Sequence, residues 1–299
     1  MYDFIEALAL EHGFAKAYFL APVSLPLWQE QAARQNTLCG MRPDTARAFP
    51  RARCIVLLVK RYAPYSHSRV LPYYIAENEA YFAARAFCED LRRTGAYAES
   101  VWLPARALAV ADRVGVQGKN GLLTLEDMGS RISLFTAATD AVAPLSYDIE
   151  GQRCPDGCHE CMRACPAGAI GQDGLNVTRC LRYHMNTPLH PAFVLEKLTA
   201  FLGCDVCQAV CPKNADVPCV TAPADVERAF DLLRLIGGDT REARGLAGRN
   251  MTGGGKLSAE AIAFAARERL FEDEIRLCLA SDHDAVRQTA SWALGRYFD

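Results

Sequence analysis

Long apolar runs are missing from this 299-residue chain. No uninterrupted apolar stretch exceeds the six residues of Cys54–Val59, whereas a membrane-spanning helix needs about 20. No membrane association is therefore expected. An excess of charge is missing too: 33 Lys and Arg stand against 35 Asp and Glu, a net of -2. That balance lacks the basic footprint of a protein that binds nucleic acid chiefly through its phosphates. The opening segment MYDFIEALALEHGF carries Asp3 and Glu6 and no basic cluster, so no secretory signal is read there and the expected location is the cytoplasm. The length allows about two domains, or one large domain with an appendage.

Cysteine is the residue present in unusual number: there are 13. In a reducing compartment a chain this long needs no disulfide framework, so metal binding is the better reading. Cys39, Cys54, Cys88 and Cys278 are scattered, while the other nine fall between Cys154 and Cys219. The first group, C-P-D-G-C-H-E-C-M-R-A-C-P, supplies Cys154, Cys158, Cys161 and Cys165. The second, C-D-V-C-Q-A-V-C-P, supplies Cys204, Cys207 and Cys211, with Cys180 between the groups. Each ends in Cys-Pro after three intervening residues. This resembles the two-cluster ferredoxin run, in which the cysteine before the proline ligates the other cluster.

Applied to this chain, the pattern gives one [4Fe-4S] cluster to Cys154, Cys158, Cys161 and Cys211. The other takes Cys165, Cys180, Cys204 and Cys207. The first interval is C-x3-C, one residue longer than the pattern. A pair of structural zinc sites would also explain the thiolates, but not the crossed spacing with two Cys-Pro endings. Cys219 and the four scattered cysteines are read as buried small hydrophobes.

The expected class is α+β in three parts. Residues 1–145 read as an α/β domain, with strands over Lys16–Val23, Ala52–Val59 and Arg131–Ala138. A helix over Glu77–Arg93 stops at Thr94-Gly95. Residues 146–222 form a ferredoxin-like two-cluster domain. Residues 223–299 are helical, with one helix over Ala224–Leu235, a loop-rich stretch over Arg241–Lys256, and two or three helices beyond. In the last, Ala285, Val286, Thr289, Trp292, Ala293 and Leu294 share one face.

Further motifs flank the cysteines: Q-G-K-N-G-L-L (117–123), M-G-S-R (128–131), A-T-D (138–140), R-C-L-R-Y (179–183) and G-C-D-V-C-Q-A-V-C-P (203–212). Together they resemble the epoxyqueuosine reductase family, strongly from 115 to 214 and weakly before 100. The tail D-A-V-R-Q-T-A-S-W-A-L-G-R resembles that family's HEAT-like ending. The resemblance implies a corrinoid-type N-terminal domain that holds cobalamin. Electrons from the two clusters would reduce it, for a two-electron reduction of an epoxide on a tRNA base. It also implies that Gly118, Lys119, Asn120, Gly129 and Ser130, with Tyr183, face the cobalamin. An electron donor such as a flavodoxin or ferredoxin is implied as partner. The substrate would be a small molecule or a modified nucleoside. The near-neutral charge weighs against tRNA itself. The alternative is an electron-transfer iron-sulfur protein without corrinoid that serves a partner enzyme.

One departure concerns the proton donor. The family carries an aspartate in a V-D-T-x-P-x-x-E-R-like stretch. The corresponding stretch here is E-S-V-W-L-P-A-R-A-L (99–108), and alignment on Pro104 puts Val101 at that place. Glu99 is the acid that a shift of register would bring there, which makes it the catalytic candidate. His159, between two cluster ligands, is read as filling its loop. His184 follows Tyr183, and is read either as a packing residue or as one facing the cofactor. Tyr62, Tyr65, Tyr73, Tyr74 and Tyr81 are read as packing tyrosines, with a cavity lining as the alternative.

Overall fold

The computed structural model describes residues 1–34, 41–42, 44–148, 153–187 and 189–298. Cys39 lies outside the described residues. The chain divides into two compact units: Met1–Tyr62, Ala76–Glu160 and Val210–Val217 form one; Ala63–Ile75, Cys161–Ala209 and Pro218–Asp299 form the other. The cysteine-rich segment contributes to both.

The first unit is built on a four-stranded sheet of β1 (Lys16–Leu20), β2 (Cys54–Arg61), β3 (Ala98–Val101) and β4 (Ile132–Thr139), in the order β1-β2-β4-β3. Every pairing is antiparallel, with Leu57 opposite Tyr18 and Thr136, and Val101 also opposite Thr136. β2 has the expected character of a strand covered on both faces: Cys54–Val59 are all buried. Alternation sends Cys54, Val56 and Leu58 into one core with Ile5, Phe19, Phe87 and Leu91. Ile55, Leu57 and Val59 enter a second core with Leu108, Val114, Leu123 and Leu125. Each such side chain contributes roughly 1.5–3 kcal/mol by leaving water.

Helices α1 (Tyr2–Glu11) and α2 (Pro72–Arg93) supply the first of these cores; α3 (Ala105–Ala111) supplies the second. α2 starts five residues before the expected Glu77. Pro72 suits a first helical position because its missing N–H would have no partner there anyway. The helix ends where expected. Gly95 takes φ +90, a left-handed conformation that glycine adopts without a Cβ penalty, and donates its N–H to Arg92 O at 2.9 Å. The expected strand over Lys16–Val23 is shorter than read, ending at Leu20.

The second unit is mainly helical, with α4 (Ala192–Lys197), α5 (Lys256–Arg267) and α6 (Asp284–Tyr297) around one core. Phe201 sits at its centre, 4.9 Å from the Phe264 ring and 5.7 Å from the Phe230 ring. Two readings of the helical part need correction. The expected single helix over Ala224–Leu235 is two, Ala224–Ala229 and Leu232–Ile236. Asp231 breaks it by acting as an N-cap, its carboxylate accepting from Arg234 N at 3.0 Å. The stretch expected to be loop-rich holds helices Arg241–Ala247 and Arg249–Thr252. Asp231→Ala is expected to cost about 1 kcal/mol and lower Tm by about 2–4 °C in a circular-dichroism melt, while Asp231→Asn leaves it nearly unchanged.

No helix among the described residues is long and apolar enough to cross a membrane. Cys54, Cys88 and Cys278 are buried as read. Cys219 is exposed, against expectation: it lies between the Pro212–Asn214 turn and the exposed two-residue strand Val220–Thr221, which pairs only with Tyr65–Ser66.

Candidate iron-sulfur and cofactor site

In the first unit two loops grip the cysteine segments. The Q-G-K-N loop turns between short strands Val116–Gln117 and Leu123–Thr124, closed by Gly121 N donating to Gly118 O at 2.9 Å. Asn120 is buried and its side-chain oxygen accepts from Leu122 N at 3.2 Å. A Cβ on Gly118 would stand 2.9 Å from Asn120 Oδ1 and 3.8 Å from Cys154 Sγ, so glycine leaves room for the turn beside that sulfur. Lys119 Nζ donates to Cys158 O at 2.7 Å. The loop thus holds the Cys154–Cys158 segment directly.

The M-G-S-R loop holds the other end. Ser130 N donates to Asn214 Oδ1 at 2.8 Å, and Asn214 Nδ2 donates to Ser130 Oγ at 3.0 Å. Both residues are buried. This reciprocal pair fixes the turn Pro212–Asn214 that follows Cys211. The result is that Cys211 lies close to Cys154 and Cys158, which are more than 50 residues away in sequence. Its thiol pKa is raised by burial first, and then by the charges of Cys154 and Cys158, while the Lys213 N–H lowers it.

In the second unit Cys161 rides on the helix Glu160–Ala164, and Cys165 Sγ accepts from Ala169 N at 3.2 Å. Cys180 joins two 3-10 turns, Val177–Arg179 and Leu181–Asn186. Cys204 precedes the helix Val206–Ala209 that carries Cys207. The Cys207 thiol is pushed up to about 12 by burial first, then by Cys204 and Cys180, with Cys161 a smaller contributor. Burial also raises Cys204, against N–H and hydroxyl donors from Val206 and Thr199. Cys165 and Cys204 pack on the same core.

These thiols fit cluster ligation in their chemistry. Three sulfurs receive backbone N–H groups, from Ala169, Val206 and Lys213, the kind of donor that tunes iron-sulfur potentials. Among the described residues no three His, Cys, Asp or Glu side chains converge around one point as on a single ion. A cubane instead spreads its thiolates over four separate irons.

The remaining candidates are placed as follows. Glu99 is on β3, at the edge of the sheet, and its carboxylate accepts from Tyr97 OH at 2.8 Å. Burial and that hydrogen bond raise the Tyr97 phenol to about 12. No described contact joins Glu99 to the Gly118–Asn120 loop. Val101 stands nearer that loop in the chain: Arg106, five residues on, donates to Gly121 O at 3.0 Å. Tyr183 is half-buried and meets His184 edge-on at 5.2 Å. His184 Nε2 bonds Thr178 O at 2.8 Å, while its buried Nδ1 has no partner among the described residues. His159 Nδ1 bonds Gly157 O at 2.7 Å within its own loop, as read. Of the tyrosines, Tyr62 and Tyr74 are buried and Tyr81 is exposed. Asn214 and Arg106 went unread in the sequence. Asn214 stands two residues beyond the Cys-Pro ending, where the motif pattern stops.

Two gatherings of thiols, with an antiparallel sheet unit and a helical unit, define an iron-sulfur protein of the double-cluster kind. Residues 153–214 match the 4Fe-4S double cluster binding domain. The chain is similar to epoxyqueuosine reductases. It is 30% identical to that of Bacillus cereus over 203 residues, 63% of this chain and 53% of the relative. The chain thus spans about half the length of the curated relative it matches. In fold the likeness is wider. A crystal structure of selenomethionine-labelled epoxyqueuosine reductase superposes with a TM-score of 0.80, at 22% identity, over 98% of this chain and 89% of that one. Another, with an epoxyqueuosine-modified tRNA-Tyr stem loop, gives 0.78 at 22% identity, over 99% and 90%.

Proposed function

We propose that the chain is a cobalamin-dependent iron-sulfur reductase of the epoxyqueuosine reductase kind. The observation that carries this is the gathering of Cys211 with Cys154 and Cys158 in one unit, and of Cys180, Cys204 and Cys207 in the other. It supports Cys154, Cys158 and Cys211 as ligands of one cluster and Cys180, Cys204 and Cys207 as ligands of the other; Cys161 and Cys165 join them by the crossed motif pattern alone. Bound cobalamin would supply two-electron reduction of an electrophile. Gly118, Lys119, Asn120, Gly129 and Ser130, with Tyr183, would line its site; Lys119 also bonds the Cys158 carbonyl and Ser130 bonds Asn214 beyond Cys211. On β4, Ser133 Oγ is buried without a partner among the described residues and is suited to an amide of such a ligand. The chain of the proposal follows the three blocks 1–145, 146–222 and 223–299, with a HEAT-like tail.

The stem-loop complex of the similar structure supports tRNA as the proposed substrate carrier, against the argument from charge. A net of -2 averages over the whole surface, whereas phosphates answer to local charge. The alternative is an electron-transfer protein without corrinoid, favoured by Val101 at the place of the family's aspartate. Anaerobic reconstitution separates the two. The proposal expects about eight irons per chain, a cobalamin spectrum near one per chain, and reduction of epoxyqueuosine in a modified stem loop. Full iron with no cobalamin uptake overturns it in favour of the alternative.

A further inference from the structure

Helix α5 carries three charged residues in a sequence otherwise apolar but for Ser258, KLSAEAIAFAAR. At 3.6 residues per turn, Lys256, Glu260 and Arg267 fall within about 40° of one another around the axis. A solvated helix would turn such a stripe outward. Here the stripe points into the unit: Lys256 is 9% exposed and Glu260 1%. Each side chain ends on backbone. Lys256 Nζ donates to Met185 O at 3.2 Å and Asn250 O at 2.5 Å. Arg267 Nη1 donates to Leu198 O at 2.8 Å and Glu196 O at 3.2 Å. Glu260 Oε2 accepts from Leu202 N at 2.8 Å, and its other oxygen lies 3.5 Å from His190 Nε2.

The segment held in this way leads to a cluster cysteine. Arg267 fixes its start at Leu198 and Glu260 fixes its end at Leu202, two residues before Cys204. Leu202 has φ +66 and Gly203 φ +122. A leucine rarely takes the left-handed region, and persists there only where surrounding contacts impose it. The buried carboxylate on the Leu202 N–H is such a contact. Phe201 N donating to Arg69 O at 2.6 Å holds the preceding residue. Met185, whose carbonyl Lys256 holds, lies five residues after Cys180.

We propose that Glu260 is a positioning residue for the cluster of Cys165, Cys180, Cys204 and Cys207, setting both the path of the Cys204 loop and the charge beside that cluster. This rests on the two-cluster reading above. Removal of the negative charge favours the reduced, more negative cluster. Glu260→Gln keeps an acceptor for Leu202 N, so it should retain full iron while moving one of two reduction potentials upward. Glu260→Ala loses the acceptor as well and should lose about half the iron, with one of two signals gone from the EPR spectrum of the reduced chain. Glu260→Ala with Leu202→Gly, which relieves the left-handed backbone, should recover iron but not the wild-type potential.

The test is anaerobic reconstitution of the full chain, iron assay, EPR and dye-coupled potentiometry. Wild-type potentials in Glu260→Gln overturn the inference, even should Glu260→Ala fail to fold. Loss of both clusters to the same degree in Glu260→Ala also overturns it. A wild-type chain with one cluster or none overturns the two-cluster reading, and this inference falls with it.

Discussion

Cys211→Ser should remove about half of the roughly eight irons, and a second substitution should show which half. Under the crossed pairing, Cys154→Ser added to Cys211→Ser strikes the same cluster again and leaves about half the iron in place. Adding Cys204→Ser strikes the other cluster and leaves almost none. An uncrossed pairing reverses the two results, because Cys211 would then share a cluster with Cys204 and Cys207. The double substitutions carry the test, since residues in one site are non-additive while independent sites add. The expectation stands on which thiols neighbour one another: Cys211 has Cys154 and Cys158 beside it, and Cys207 has Cys204 and Cys180, with Cys161, of the other proposed set, a smaller neighbour. Iron and sulfide assays with EPR of the reduced chain read the outcome. The proposed reductase activity is expected to be lost in every one of these variants, so activity alone would not discriminate.

How much of this was legible follows from the range over which each signal acts. Cysteine spacing is covalent and local, so the double-cluster character could be read from the sequence. The Cys-Pro endings suggest the crossing, which the double substitutions test. Strand β2 was legible because six consecutive apolar residues need cover on both faces. The two cores that provide it, one with Phe87 and one with Leu108, are long-range and were not. Asp231 shows a local signal overlooked: an N-capping residue sits inside an apolar run that otherwise reads as one helix. Glu260 shows the opposite limit. The segment reads as helical, with no signal that its carboxylate is buried. Its partner, the N–H of Leu202 58 residues away, accounts for it. Lys119 was read from motif likeness as facing a cofactor, yet its ammonium reaches the carbonyl of Cys158. The role of Glu99 rests on a register choice that the Tyr97 hydrogen bond does not decide.

Gly129→Ala should be the most damaging single substitution outside the cysteines. Gly129 takes φ +60, where a Cβ costs about 1–2 kcal/mol by itself. The added methyl would also overlap Lys213 O and Asn214 Oδ1. The carbonyl belongs to the backbone and cannot swing aside, so the turn after Cys211 must move. That movement breaks the reciprocal Ser130–Asn214 bonds, leaving two buried groups without partners at about 1–3 kcal/mol. The sum, about 2–5 kcal/mol, should lower Tm by on the order of 10 °C. It should also cost the cluster proposed to include Cys211 before the other one. Asn214→Ala removes the bonds without the overlap, and should cost about half as much while keeping more iron. Gly129→Ala with Asn214→Gly should recover only part of the loss, because the contact with Lys213 O remains. A melt of Gly129→Ala within 2 °C of wild type, with iron intact, would show that the M-G-S-R loop does not hold Cys211 in place.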